Sequence, residues 1–209
     1  MTAVNMSARE RLLAMPDIFS VAELALVMGV ERPDASRYLW RWRAANLVLQ
    51  FGGKSGIFLN QVRNPSARSD GALWERALLK AMPSAIIGGH EVLADSGLTT
   101  QITHQRYVIV SNTDSLVSVD GAEVHRRPVP WLNRLARSGA VLNPDPGVLV
   151  PRLRPGAALA DLGLYAETKP DPDDIDMEMI DAEEVSLFRR LTKAETIEEV
   201  APKRRARRP

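Results

Sequence analysis

Between Ser20 and Leu59 the apolar positions change their spacing, and each change marks an element. Val21, Leu24, Val27 and Met28 recur at the interval of a helix with one apolar face. Ser20-Val21-Ala22-Glu23 fits a capping box, in which the Ser hydroxyl accepts from the N–H three residues on and the Glu carboxylate reaches back. Gly29 closes that helix, since glycine adopts the left-handed conformation without steric cost. Val30-Glu31-Arg32 is a short turn. Pro33 suits the opening of a second helix, where its missing N–H is no loss. That helix is predicted to run to Ala45, with Asn46 as a left-handed cap. Ala35, Leu39 and Trp42 form its buried stripe, with Tyr38 on the flank. Arg37 and Trp40 face the opposite way, flanked by Ser36 and Arg41. Leu47–Phe51 and Ile57–Leu59 are apolar and strand-like, and Gly52-Gly53-Lys54-Ser55-Gly56 joins them as a hairpin.

The rest of the chain is less regular. Ser7-Ala8-Arg9-Glu10 is another capping box, before a first helix carrying Leu12, Leu13 and Met15; Pro16-Asp17 breaks it, and Ile18 and Phe19 join the same core. A first domain is thus expected over residues 1–60, and a polar linker over 61–71. A second domain is expected over 72–168. Its elements are a helix from Ala72 ended by Met82-Pro83, a strand at Ala85–Ile87, a Gly88-Gly89 turn and a helix over His90–Ser96. A strand at Arg106–Ser111 follows. Ser115–Val119 and Ala122–Arg127 read as a hairpin about Asp120-Gly121. A helix over Trp131–Arg137, an extended Val148–Leu153 and a helix over Pro155–Tyr165 complete it. The mixture of helices and strands makes the fold class α+β. Residues 169–209 read as a charged, partly disordered tail, with a helix over Glu183–Leu191.

Composition narrows the classes. The chain has 209 residues, a net charge of +1 and no Cys, which excludes disulfides, thiolate metal sites and a Cys nucleophile. Charge is unevenly spread: residues 1–60 balance at +2, residues 61–160 at +3 and residues 161–209 at −4. The tail masks a mildly basic body. Asp171–Glu184 is acidic, whereas Lys203–Pro209 is basic and suits nonspecific phosphate binding or folding back onto the acidic run. No apolar run reaches membrane-spanning length and no secretion signal opens the chain, so the expected compartment is the cytoplasm, without a membrane partner.

Two helices, a tight turn and a glycine-rich hairpin match a winged helix-turn-helix, which lays its second helix in the major groove of double-stranded DNA. The expected DNA-contacting residues are Ser36, Arg37, Trp40, Arg41 and Arg43 on the helix, and Lys54 and Ser55 on the hairpin. Arg is the commonest reader of guanine edges, and a glycine-rich loop with one Lys can approach a phosphate backbone. A winged helix used for protein contacts is the alternative. Gly-Gly-Lys-Ser lacks the leading glycine and following helix of a phosphate-binding loop. His90, Asp95 and His104 match no metal-ligand spacing. Asp114 and Asp120 have no paired Glu-x-Lys as in nucleases, and His125 falls inside a predicted strand. No catalytic residue, cofactor or metal is expected, and the chain reads as a non-enzyme.

Ala77-Leu78-Leu79-Lys80-Ala81-Met82-Pro83-Ser84-Ala85, Gly88-Gly89 and Leu98-Thr99-Thr100-Gln101-Ile102 resemble the AbiEi antitoxins of abortive-infection (type IV) toxin–antitoxin systems. Leu153-Arg154-Pro155-Gly156-Ala157-Ala158-Leu159-Ala160-Asp161 resembles that family's C-terminal domain. The resemblance spans about Met1–Tyr165, and the charged tail has no counterpart in it. It implies a repressor that binds inverted repeats in its own promoter, as a monomer or dimer, and counteracts a nucleotidyltransferase-like toxin without necessarily touching it. A stand-alone regulator with the same layout is the alternative.

Overall fold

The structure is a computed structural model that describes residues 6–100, 105–115, 118–142, 149–166, 170–196 and 199–200. These residues form a mixed α+β protein of eight α-helices and two sheets. The chain divides into two compact units: residues 1–83 with 116–120 and 146–149, and the remainder.

The first unit begins with α1 (Ala8–Leu13), β1 (Ile18–Ser20), α2 (Val21–Met28) and α3 (Arg32–Ala44). Both capping boxes are made, with Ser7 and Glu10 at α1 and Ser20 and Glu23 at α2. Gly29 ends α2 at φ 63°, and the Val30 N–H reaches back to the Ala25 carbonyl. Asn46 ends α3 in the same way at φ 54°, with the Leu47 N–H on the Trp42 carbonyl. Two strands follow, β2 (Val48–Phe51) and β3 (Ile57–Asn60), and the sheet order is β1-β3-β2, antiparallel throughout. Phe19, predicted only as a core residue, lies in a strand paired through Phe58. Leu12, Met15, Phe19, Leu24, Ala35, Leu39, Trp42 and Phe58 share one core. In α2, Ala25 is buried where Val27 was expected, and Val27 is exposed.

β3 is buried along its whole length because both its faces are covered. Phe58 faces the core of α1–α3. Ile57 and Leu59 point the other way, toward α4 (Gly71–Ala81), which contributes buried Leu73, Ala77 and Leu78. The Trp74 ring meets Phe51 edge-on at 6.0 Å, and Lys80 pairs with Glu23 at 2.6 Å. The helix assigned from sequence to the second domain therefore belongs to the first unit, and the boundary moves from residue 60 to about Pro83. The expected linker is a run of turns: Asn60 is fully buried and donates to the Leu12 carbonyl at 2.7 Å, Ala67 is buried, and Asp70 caps α4.

The second unit has β4 (Ile86–Ile87), α5 (Gly89–Asp95), β5 (Arg106–Ser111), β6 (Ala122–Arg127), α6 (Val129–Arg137), β7 (Val141–Leu142), β8 (Arg152–Leu153), α7 (Pro155–Tyr165) and α8 (Ala182–Thr192). The sheet order is β6-β5-β4-β8-β7. β5 and β6 run parallel, and among the described residues of Ser115–Val119 none pairs with β6 as the predicted hairpin about Asp120-Gly121 requires. Gly121 keeps its left-handed φ of 77°, but Ser118 bridges to Gly53 of the first unit instead of pairing with β6. The expected Gly88-Gly89 turn is the start of α5. There Gly89, at φ 60°, lies so close to the Tyr107 ring that an added Cβ would stand 2.3 Å from it.

α7 is buried from Gly156 through Gly163, as expected of a helix covered all round. α8 packs on it through Leu187, Phe188 and Leu191. Arg154 joins them further, to Glu183 at 3.0 Å and Glu184 at 2.5 Å. The described part of the predicted tail is thus folded, because its acidic run conceals an apolar helix face and Arg154 compensates part of its charge. Lys203–Pro209 lies outside the described residues.

Candidate nucleic-acid interface

α3 sets out the candidate surface. At about 100° per residue, Ala35, Leu39 and Trp42 turn inward, and all three are buried. Ser36, Arg37, Trp40, Arg41 and Arg43 are exposed, and Trp40 is 73% exposed. The helix carries Arg32, Arg37, Arg41 and Arg43 against Asp34, so its outer surface is cationic.

The side chains differ in how they are held. Arg37 Nη1 donates to Asp34 Oδ1 at 3.0 Å, one turn back. The Ser36 hydroxyl donates to the Arg32 carbonyl at 3.0 Å. Arg43 leans to the β2 side, where Nη1 donates to Gln50 Oε1 at 2.7 Å. Arg41 makes no ion pair among the described residues. Arg37, Arg41, Tyr38, Asp34 and Val30 line a concavity of about 210 Å³. On the other flank, Arg43, Gln50 and Gln61 line a cleft of about 680 Å³ with Arg68 and the hairpin residues Gly52 and Gly53. Gln50 is not among the contacts expected from the sequence, and Arg68 falls in the expected polar linker, where it suits either a DNA contact or solvation. No local signal marks either, because the cleft is assembled from separate stretches.

Lys54 sits at the hairpin tip, exposed, at φ 62°. Ser55 is engaged differently from the expectation. Its hydroxyl donates to the Phe51 carbonyl and accepts from the Ile57 N–H at 3.0 Å, so it holds the hairpin's shape.

The second unit's chemistry is internal. Arg127 Nε and Nη2 donate to the Asp161 carboxylate at 2.8 and 2.6 Å, Nη2 also to the Tyr107 hydroxyl at 2.6 Å, and Trp131 Nε1 to Asp161 Oδ1 at 2.8 Å. Burial works against the guanidinium's charge, but the Asp161 carboxylate outweighs it and raises the Arg127 pKa. Burial pushes the Tyr107 hydroxyl well up from its ordinary value. The His125 ring stacks on Tyr107 at 4.0 Å, and burial lowers its pKa despite Glu123 nearby. Burial also lowers His90 and raises Glu91. Asp95 is paired with Arg152 at 2.5 Å, and Asp114 accepts from the Ser84 hydroxyl at 2.6 Å. His104 lies outside the described residues. Among the described residues no cluster of three His, Asp or Glu could hold a metal ion, and no helix is long and apolar enough to cross a membrane.

Fold and comparison together define a mixed α+β protein. No family model matches the chain, and no curated protein does. Among solved structures it is similar to the crystal structure of the RV2827C protein from Mycobacterium tuberculosis, with a TM-score of 0.51 at 14% identity, covering 88% of this chain and 69% of that one. At that identity the likeness concerns the fold alone.

Proposed function

We propose that this chain is a DNA-binding repressor of transcription, with the first unit acting as a winged helix-turn-helix. α3 is the recognition helix and the β2–β3 hairpin the wing. The observation that carries the reading is the outward face of α3, where Arg37, Trp40 and Arg41 stand exposed beside Ser36 and opposite a well-filled core. Such a face is cationic, can donate in pairs to guanine edges, and presents an apolar ring to a groove. Arg43 and Lys54 supply phosphate contacts at its margins.

On the resemblance to AbiEi antitoxins, the target is an inverted repeat in the chain's own promoter, and the second unit counteracts a nucleotidyltransferase-like toxin. The reading assigns no catalysis and no cofactor. The test is a gel shift of the duplex directly upstream of the gene against scrambled duplex, over a series of salt concentrations. A saturable shift that survives competitor and weakens steeply with salt is expected, because phosphate contacts release counterions. Arg37→Ala and Arg41→Ala should each weaken specific binding by about 1–3 kcal/mol while leaving the fold intact. Wild-type binding by both variants would remove α3 from the recognition role.

A second reading rests on α2, where Leu26 is 82% exposed and Val27 58% exposed. A module that docks protein through this helix would show duplex binding that is flat with salt and indifferent to sequence.

A further inference from the structure

Trp40 is the most exposed aromatic of α3, and of the residues one turn from it along the helix only Ala44 is apolar. One turn away on either side stand Ser36, Arg37, Arg43 and Ala44, and all four are exposed. A protein-docking hot spot is normally set in a contiguous apolar patch. A lone ring among cations suits a small apolar group set among phosphates.

The angular positions sharpen this. Counting from Ala35, Trp40 lies at about 140° around the helix, Arg37 and Arg41 at about 200° and 240°, and Arg43 at about 80°. The ring therefore stands between two cationic flanks. One is the Arg37–Arg41 concavity, and the other is the cleft where Gln50 holds Arg43. A helix in a major groove has a phosphate strand on each side and base edges ahead of it. Of the groups on those edges, the thymine 5-methyl is the apolar one. Resting on the reading of α3 as recognition helix, we propose that Trp40 is a specificity residue that packs on a thymine methyl, with Arg37 and Arg41 on the neighbouring base edges to one side and Arg43 on the backbone to the other.

The experiment uses the full chain and a pool of random duplexes, from which the tightest-binding sequence is selected. Each thymine of that sequence is then replaced in turn by uracil, which pairs alike and lacks the methyl. Affinity should fall about fourfold at the contacted thymine, the effect of one methyl left in water. In Trp40→Ala, thymine and uracil should bind alike at that position, while Trp40→Phe should keep part of the difference. Circular dichroism should be unchanged in both. Sequence-specific binding by the wild type that ignores every uracil replacement overturns this proposal alone. So does thymine discrimination that persists in Trp40→Ala. Failure to select any duplex over scrambled DNA overturns the recognition-helix reading together with it. Duplex binding untouched by Trp40→Ala returns the ring to a protein contact.

Discussion

Asp161→Asn should be among the most destabilising single-atom changes available to this chain. The carboxylate is fully buried and Arg127 is 4% exposed, so neither charge has water to fall back on. Asp161 accepts from Arg127 Nε, Arg127 Nη2 and Trp131 Nε1 at 2.8, 2.6 and 2.8 Å. An amide must turn its NH2 toward one of those donors in either orientation, and it carries no charge. One lost hydrogen bond to a charged group accounts for about 1.5–3 kcal/mol. The unpaired guanidinium raises the total to about 3–5 kcal/mol, the usual cost of breaking a buried pair from one side. At roughly 2–4 °C per kcal/mol for a chain of this size, melting of the second unit should fall by about 6–20 °C. Calorimetry measures it, and hydrogen exchange at β5 and β6 localises it. The double change Arg127→Met with Asp161→Leu should recover only part of the loss: packed apolar groups replace the buried pair at little cost, but the Trp131 N–H and the Tyr107 hydroxyl lose their partners. A loss below about 1 kcal/mol for Asp161→Asn would refute the claim that the pair is desolvated.

Further expectations follow from other contacts. Asp34→Asn frees Arg37 from its ion pair and removes a carboxylate from the cationic face; nonspecific duplex affinity in a salt-matched titration should rise a few-fold, and a decrease would show that Asp34 positions Arg37. Gly156→Ala places a Cβ 2.2 Å from the Glu184 carbonyl oxygen; it should loosen α8, cost about 1–3 kcal/mol and speed proteolysis after Lys193, and a wild-type digestion pattern would count against the α7–α8 packing. His90 and His125 are both lowered by burial, so below the ordinary value of 6.5 the unfolded chain binds protons that the folded one does not. Stability should therefore fall as pH drops through about 6.5, and His125→Gln should flatten that part of the curve; Glu91, raised by burial, works in the opposite direction at lower pH.

Local signals were legible in the sequence wherever a few neighbouring residues decide the structure. Both capping boxes, the left-handed Gly29 and Asn46, and the Ala35–Leu39–Trp42 stripe form as the spacing predicts. What the sequence hid was decided at a distance. α4 reads as an ordinary amphipathic helix, and only the second face of β3 draws it into the first unit. Asp120-Gly121 carries a hairpin signal, but Ser118 bridges to Gly53 and β6 pairs in parallel with β5. The helix expected over Glu183–Leu191 forms as α8, but the eight acidic residues of Asp171–Glu184 gave no sign that its Leu187, Phe188 and Leu191 face packs on α7. Of the candidate contact residues, exposure was readable for Ser36, Arg37, Trp40, Arg41, Arg43 and Lys54. The engagement of Ser55 with its own hairpin was not, since serine in a glycine-rich loop serves backbone and ligand equally well.

The return of the chain to its first unit bears on how the protein is made. Residues 1–83 leave the ribosome well before Ser118, whose carbonyl accepts from Gly53, and before Leu149, whose N–H donates at 2.8 Å to buried Glu75. The nascent N-terminal region can assemble its core early, but without the Gly53–Ser118 and Leu149–Glu75 hydrogen bonds until those later residues have been synthesised. Completion of the first unit is therefore tied to synthesis of the second, and a fragment ending at residue 83 should fold as a looser, more protease-sensitive form than the same residues in the full chain.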